Sequence, residues 1–218
     1  MESRPPEAPG DPRDGRAPAI WWLAVAFIPL FGSQVIRLHQ DYATSWLAWD
    51  YAGRIVTLAV LAAIPAARSV AFRREQCRIS LLEIGAWIAG ILLLYRLCQW
   101  PQRLINAAFP ATVVGGYPHL AGWLYVSDLV FGMALVAVSE EIVFRRLLWS
   151  ASKPYAGDGT SAVLITSLIF GVYHWWAGVG NVLLAATIGI PLMVMYRRSG
   201  ALWPVILAHY LVDAIAFA

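Results

Sequence analysis

The stretch "AGWLYVSDLVFGMALVAVSEEIVFRRLLWS", residues 121–150, runs through mostly apolar residues into two adjacent glutamates, Glu140 and Glu141, followed by Arg145 and Arg146. A helix needs roughly 20 apolar residues to cross a bilayer, so this stretch reads as a membrane helix. An ionised side chain near the bilayer centre costs about 2.5–3.5 kcal/mol even on lenient insertion scales. Four such groups must therefore pair, neutralise or line a wet cavity.

The rest of the chain supports that reading. Of its 218 residues 60% are hydrophobic and only 13% charged, and the mean hydropathy is +0.62. A soluble domain is nearer half apolar and a quarter charged. Eleven tryptophans suit a protein with two water–lipid boundaries, where indoles collect. The net charge is +3, but the basic residues lie in short clusters between apolar runs. That is a topology pattern, and it argues against a nucleic-acid surface. Cys77 and Cys98 form neither a metal spacing nor a disulfide framework.

Apolar segments fall near 19–36, 47–67, 79–99, 121–150, 160–177, 181–196 and 200–218. They predict an all-α, polytopic membrane helical bundle of about seven transmembrane helices. Residues 1–17, rich in Pro, Gly and both signs of charge, read as a disordered cytosolic tail. Residues 18–120 hold the first helices and an interfacial stretch over 100–120, and 121–218 the functional core. "WW" followed by a long apolar run reads as a retained anchor, not a signal peptide. Assigning connections alternately leaves Arg37, Arg54, Arg96 and Arg103 on one side and the other twelve of the 16 Lys and Arg residues opposite. The bias predicts an integral protein of a prokaryotic inner (plasma) membrane with a cytoplasmic N-terminus.

Spacing sorts the ionisable residues of the last four segments. Glu141 and Arg145 are four apart, acid first, the favourable order for a helical pair. Glu140 has Phe144 at its own i+4 position and reads as the free carboxylate, suited to general-base work. The bland alternative has both acids snorkelling to the cytosolic rim with Arg146. "FGVYH" places Phe170 and His174 four apart, and "HYLVD" does the same for His209 and Asp213, so each pair shares a helix face. In that second pair Asp213 is positioned to hold the imidazole tautomer. His39 and His119 fall in connections.

Taken in order, E-E-x-x-x-R, F-x-x-x-H and H-x-x-x-D resemble the motifs of the CAAX-protease and bacteriocin-processing family of glutamic-type intramembrane proteases, over about residues 121–218. The resemblance implies an intramembrane endopeptidase that cuts near the C-terminus of a membrane-anchored protein, either a CAAX-type chain or a C-terminal sorting signal. It implies that Glu140 with His174 activates water, that His209 and Asp213 stabilise the oxyanion, and that Glu141, Arg145 and Phe170 shape the site. No cofactor is required. A divalent metal on Glu140, His174, His209 and Asp213 is the lesser alternative, and no H-E-x-x-H motif supports zinc. The chain departs from the pattern in two places: Arg146 stands where a small residue is common, and Asp213 where Asn is frequent. Competing readings are a proton-coupled carrier and a non-catalytic immunity-type membrane protein. The expected partners are the lipid bilayer and a membrane-anchored protein or peptide, not nucleic acid.

At 1.5 Å per residue, Glu140 and His174 each lie roughly 20 Å from the turn at residues 153–159. They should meet near mid-membrane in a cavity open to the extracytoplasmic face. Single cysteines beside Glu140 and His209, in a background lacking Cys77 and Cys98, should react with an impermeant thiol reagent added outside intact cells. Labelling only from the cytosolic side would invert the placement.

Overall fold

Pro65 breaks the second apolar segment. Its ring disfavours a helical conformation at the preceding residue, and Ile64 is extended, with φ −91° and ψ 112°. In the computed structural model, which describes residues 19–217, helix α2 (Ala43–Ala63) therefore turns by 113° into the short α3 (Pro65–Ala71). The tail assigned to residues 1–17 lies outside the described residues.

Among the described residues the architecture is all-helical. Helix α1 (Ala19–Arg37) precedes α2, and α4 (Leu81–Ala108) follows α3. The stretch from Gly122 to Ala156 is one winding run: α5 (Gly122–Ser127), a π-turn (Asp128–Gly132), α6 (Met133–Glu141), a second π-turn (Ile142–Leu148) and α7 (Trp149–Ala156). Then come α8 (Thr160–Tyr173), α9 (Val179–Ser199) and α10 (Trp203–Phe217). Among the described residues, helical runs thus fall on the predicted apolar segments in order. By length and composition α1, α4 and α9 qualify as membrane spans, and the bent α2–α3 pair makes a fourth. The others fall short because α8 and α10 are brief and because the π-turns divide the run that holds Glu140 into helices of 6, 9 and 8 residues. One boundary differs from expectation: residues 100–108, read as interfacial, continue α4 through Pro101.

Two close approaches bring the passes together. A Cβ on Gly53 would lie 1.9 Å from Ser33 Oγ, and one on Gly171 would lie 2.5 Å from the Val182 carbonyl oxygen. The missing side chains let α1 meet α2, and α8 meet α9, nearly backbone to backbone, as small residues do between membrane helices. Helix α10 packs on α6 and α4, and α4 on α9. The C-terminal ends of α8 and α10 thereby face α6.

A polar knot closes the opposite end of the bundle. Glu75, between α3 and α4, accepts hydrogen bonds from Arg73 Nε (2.7 Å), Arg146 Nη2 (2.7 Å), the Tyr196 hydroxyl (2.8 Å) and the Leu202 amide (2.9 Å). Arg146 is buried and does not snorkel, contrary to the bland reading of the sequence. Burial alone would raise the Glu75 pKa, but the hydrogen bonds from Arg146, Tyr196 and Arg73 outweigh it and hold the carboxyl below its ordinary range. The folded state therefore binds that proton more weakly than the unfolded chain does. The stabilisation is full above the ordinary carboxylate range and is lost as pH falls through the lowered value. Glu75→Gln should cost about 2–4 kcal/mol near neutral pH and flatten the acid limb of a thermal-stability profile in detergent. An unchanged acid limb would show that the knot contributes nothing to that limb.

Candidate active site

Glu140 and Glu141 end α6 and are both buried, at 1% and 0% exposure. Because the helix turns about 100° per residue, the two carboxylates project in different directions and take different partners. Glu141 Oε2 lies 3.0 Å from Arg145 Nε, the pair expected from the spacing. Its Oε1 lies 2.7 Å from His209 Nδ1. Arg145 is wholly buried, and its guanidinium rests over the Phe170 ring, 4.6 Å from the centroid.

Glu140 is not free, as the spacing suggested. Its Oε1 is 2.9 Å from Arg54 Nη1, a residue of α2. The reason is electrostatic: a carboxylate this buried needs a nearby cation, and Arg54 is the one that reaches it. Arg54 also donates to Ser139 Oγ (3.0 Å) and Asp50 Oδ2 (2.9 Å), and Asp50 in turn pairs with Arg37. Glu140 Oε2, by contrast, is buried with no hydrogen-bond partner. It faces two imidazoles, with His174 Nε2 and His209 Nε2 each 3.9 Å away. These distances are too long for direct hydrogen bonds, yet one water can reach Oε2 and an imidazole nitrogen together.

Local contacts fix both rings. His174 caps α8, and its Nδ1 lies 2.9 Å from the Phe170 carbonyl oxygen. That oxygen can only accept, so Nδ1 donates to it and Nε2 is the nitrogen turned toward Glu140. Gln34 braces the same turn, donating to the Tyr173 carbonyl and accepting from Trp175 Nε1, both at 3.1 Å. For His209 the expected orienting partner was Asp213. Instead Glu141 holds Nδ1, while Asp213 Oδ2 stands 3.4 Å from Nε2. Phe170 joins these parts, edge-on to His174 at 4.9 Å and to His209 at 5.8 Å between centroids.

Glu140, His174, His209 and Asp213 therefore converge on one cavity of about 360 Å³. Arg37, Asp50 and Arg54 line it as well, together with apolar side chains that include Tyr95, Ile188 and Val212. The loop at Gly115–Tyr117 and the end of α10 at Phe217 border it. Among the described residues, no group of three or more His, Cys, Asp or Glu side chains is placed to hold a metal ion. Cys77 and Cys98 are free thiols, and His39 and His119 lie exposed in connections.

Residues 121–215 match the family model described as "Rce1-like: Type II CAAX prenyl endopeptidase Rce1-like". Over these residues, fewer than half of the chain, the protein is similar to the Rce1-like CAAX endopeptidases. No curated protein and no solved structure matches the chain. The family is one of CAAX-type intramembrane peptidases that act on membrane-anchored proteins. The Rce1-like region holds Glu140, Glu141, Arg145, Phe170, His174, His209 and Asp213. Gln34, Arg37, Asp50 and Arg54 lie outside it, on α1 and α2, and the sequence reading missed them. A signal was present: "LAWDYAGRIVTLAVL", residues 47–61, has an acid and an arginine four apart inside an apolar run. Arg54 had been assigned to a connection, although it sits in the middle of α2.

Arg54→Met and Arg145→Met each strand a buried carboxylate. Each should lower stability by about 3–5 kcal/mol, read as a loss of folded, monodisperse protein in detergent. If either variant is fully stable, the carboxylate it faces does not depend on that arginine.

Proposed function

We propose that the protein is an intramembrane endopeptidase of the CAAX type, in which Glu140 is the general base that activates water. The observation that carries this reading is the asymmetry of the Glu140 carboxylate. Arg54 clamps one oxygen, while the other is buried, unpartnered and 3.9 Å from two imidazole nitrogens. A buried acceptor without a protein partner is a seat for water.

In this mechanism the water donates one hydrogen bond to Glu140 Oε2 and the other to His174 Nε2, which turns an oxygen lone pair toward the scissile carbonyl. Glu140 takes the water proton as the C–O bond forms and later delivers it to the leaving amine. His209, protonated on both nitrogens, donates one hydrogen bond from Nδ1 to Glu141 and directs its Nε2–H at the developing oxyanion. Asp213 buttresses His209 on its Nε2 side, a task that Asn would also perform. Glu141 and Arg145 hold His209 in place from behind, and Phe170 fixes the spacing of the two imidazoles. No step calls for a metal. The substrate is a membrane-anchored protein cut near its C-terminus, and the enzyme sits in a prokaryotic plasma membrane with its N-terminus in the cytoplasm.

Purified enzyme and a quenched fluorescent membrane-anchored peptide test this. Glu140→Gln, His174→Ala and His209→Ala should each lose about 10²–10³-fold or more in kcat/KM while remaining folded. Asp213→Asn should stay within about tenfold of the parent. Activity should survive exhaustive chelation. Near-normal cleavage by Glu140→Gln would sink the general-base role, and loss on chelation restored by one divalent ion would replace the water-only mechanism with a metal-assisted one.

A further inference from the structure

The turn that carries His174 cannot satisfy its own backbone. Over residues 171–178, the carbonyls of Gly171, Val172, His174 and Trp175 each accept from the amide three residues on. Those of Tyr173, Trp176 and Ala177 are met from other parts of the bundle. Gln34 Nε2, on α1, donates to the Tyr173 carbonyl at 3.1 Å. The Val114 and Gly115 amides donate to the Trp176 carbonyl at 2.9 and 3.0 Å. Asn106, in the last turn of α4, donates from Nδ2 to the Ala177 carbonyl at 2.9 Å, and its Oδ1 accepts from the Gly180 amide at 2.8 Å. That amide is one of the donors that the start of α9 leaves without a helical partner. Gln34 is 1% exposed and also accepts from Trp175 Nε1 at 3.1 Å, so it grips the residues on both sides of His174. One of its partners can only accept and the other can only donate, so a single orientation of the amide serves both.

We propose that Gln34 and Asn106 are positioning residues for His174, holding its turn so that Nε2 faces Glu140. This rests on the peptidase reading, in which His174 Nε2 takes one hydrogen of the attacking water, and deepens it. His174 lies just past the end of α8 with φ −89° and ψ 19°, a sparsely populated backbone region, so the helix alone does not set its direction. The Phe170 carbonyl fixes the rotation of the ring but leaves the swing of the whole turn to contacts from outside it. The water must reach Glu140 Oε2 and His174 Nε2 across a 3.9 Å gap. A shift of about 1 Å at such a site can cost about 10²-fold in rate. Both polar ends of the Gln34 and Asn106 amides are taken by the turn and by the start of α9, so each acts through backbone that it holds. Loss of either therefore lowers kcat, whereas loss of a substrate contact would raise KM. Gln34 flanks His174 directly and Asn106 grips three residues further on, so Gln34 has the larger effect.

Gln34→Met, which keeps the length of the side chain and loses both hydrogen bonds, should lower kcat on a quenched fluorescent membrane-anchored peptide by about 10- to 100-fold with KM within about threefold. Asn106→Ala should lower kcat by about three- to tenfold in the same pattern, and it carries the test should Gln34→Met fail to fold. In a His174→Ala background each substitution should change the residual rate by less than about twofold, because residues that act through one group are not additive. A second readout needs no turnover. The chain has four histidines, and in protein labelled with nitrogen-15 at histidine the His174 signals are those missing from His174→Ala. Gln34→Met should shift or broaden them and leave the His209 signals in place. Unchanged kcat with unmoved His174 signals, or an equal loss of rate in the His174→Ala background, overturns the positioning role and leaves the peptidase standing. His174 signals displaced by Gln34→Met, in a wild-type protein that cleaves no peptide, support the positioning role and overturn the peptidase.

Discussion

The pairing of Arg54 with Glu140 governs the rest of the molecule. A carboxylate at 1% exposure in a membrane bundle is expensive, and its cost is offset only by a cation with good geometry and satisfied neighbours. Arg54 meets that need but brings a charge of its own. Asp50 answers it from one turn away, and Arg37 answers Asp50. One buried acid thus propagates into an alternating chain of charges across α6, α2 and α1. This gives the N-terminal helices a role beyond anchorage: they complete a site whose matched family region begins only at residue 121.

The same constraint explains what the sequence did and did not disclose. Helix positions were legible because an apolar run of membrane length has few alternatives. The pairing of Glu141 with Arg145 was legible because it is local, set by four residues of one winding run. The convergence of Glu140, His174, His209 and Asp213 followed from spacing and hairpin depth. Glu140 was misread as free because its partner lies 86 positions away on a different helix, and no local pattern reports that distance. His209 shows the same limit. The i+4 spacing nominated Asp213 as its orienting acid, but Asp213 reaches the far nitrogen and Glu141, on another helix, takes the near one. Short-range periodicity identifies which groups share a face, whereas the bundle decides which of them touch.

The arginine count is affected in an instructive way. Arg37, Arg54, Arg145 and Arg146 were counted toward one side of the membrane or the other, yet all four are buried within the bundle. Two come from each side of the count, so the direction of the bias survives their removal. Buried arginines belong to the chemistry and packing of the core, and only the exposed ones bear on topology.

The brevity of α8 and α10 bears on the surrounding lipid. With 14 and 15 residues they rise roughly 21–23 Å, against a hydrocarbon core of about 30 Å. A shortfall of that size is absorbed by local thinning of the bilayer or by drawing headgroups and water inward. His174 caps the C-terminal end of α8 and His209 lies midway along α10, so the short helices border the candidate site. Hydrophobic mismatch, commonly a burden on a membrane protein, here shortens the path by which solvent reaches the cavity that holds Glu140.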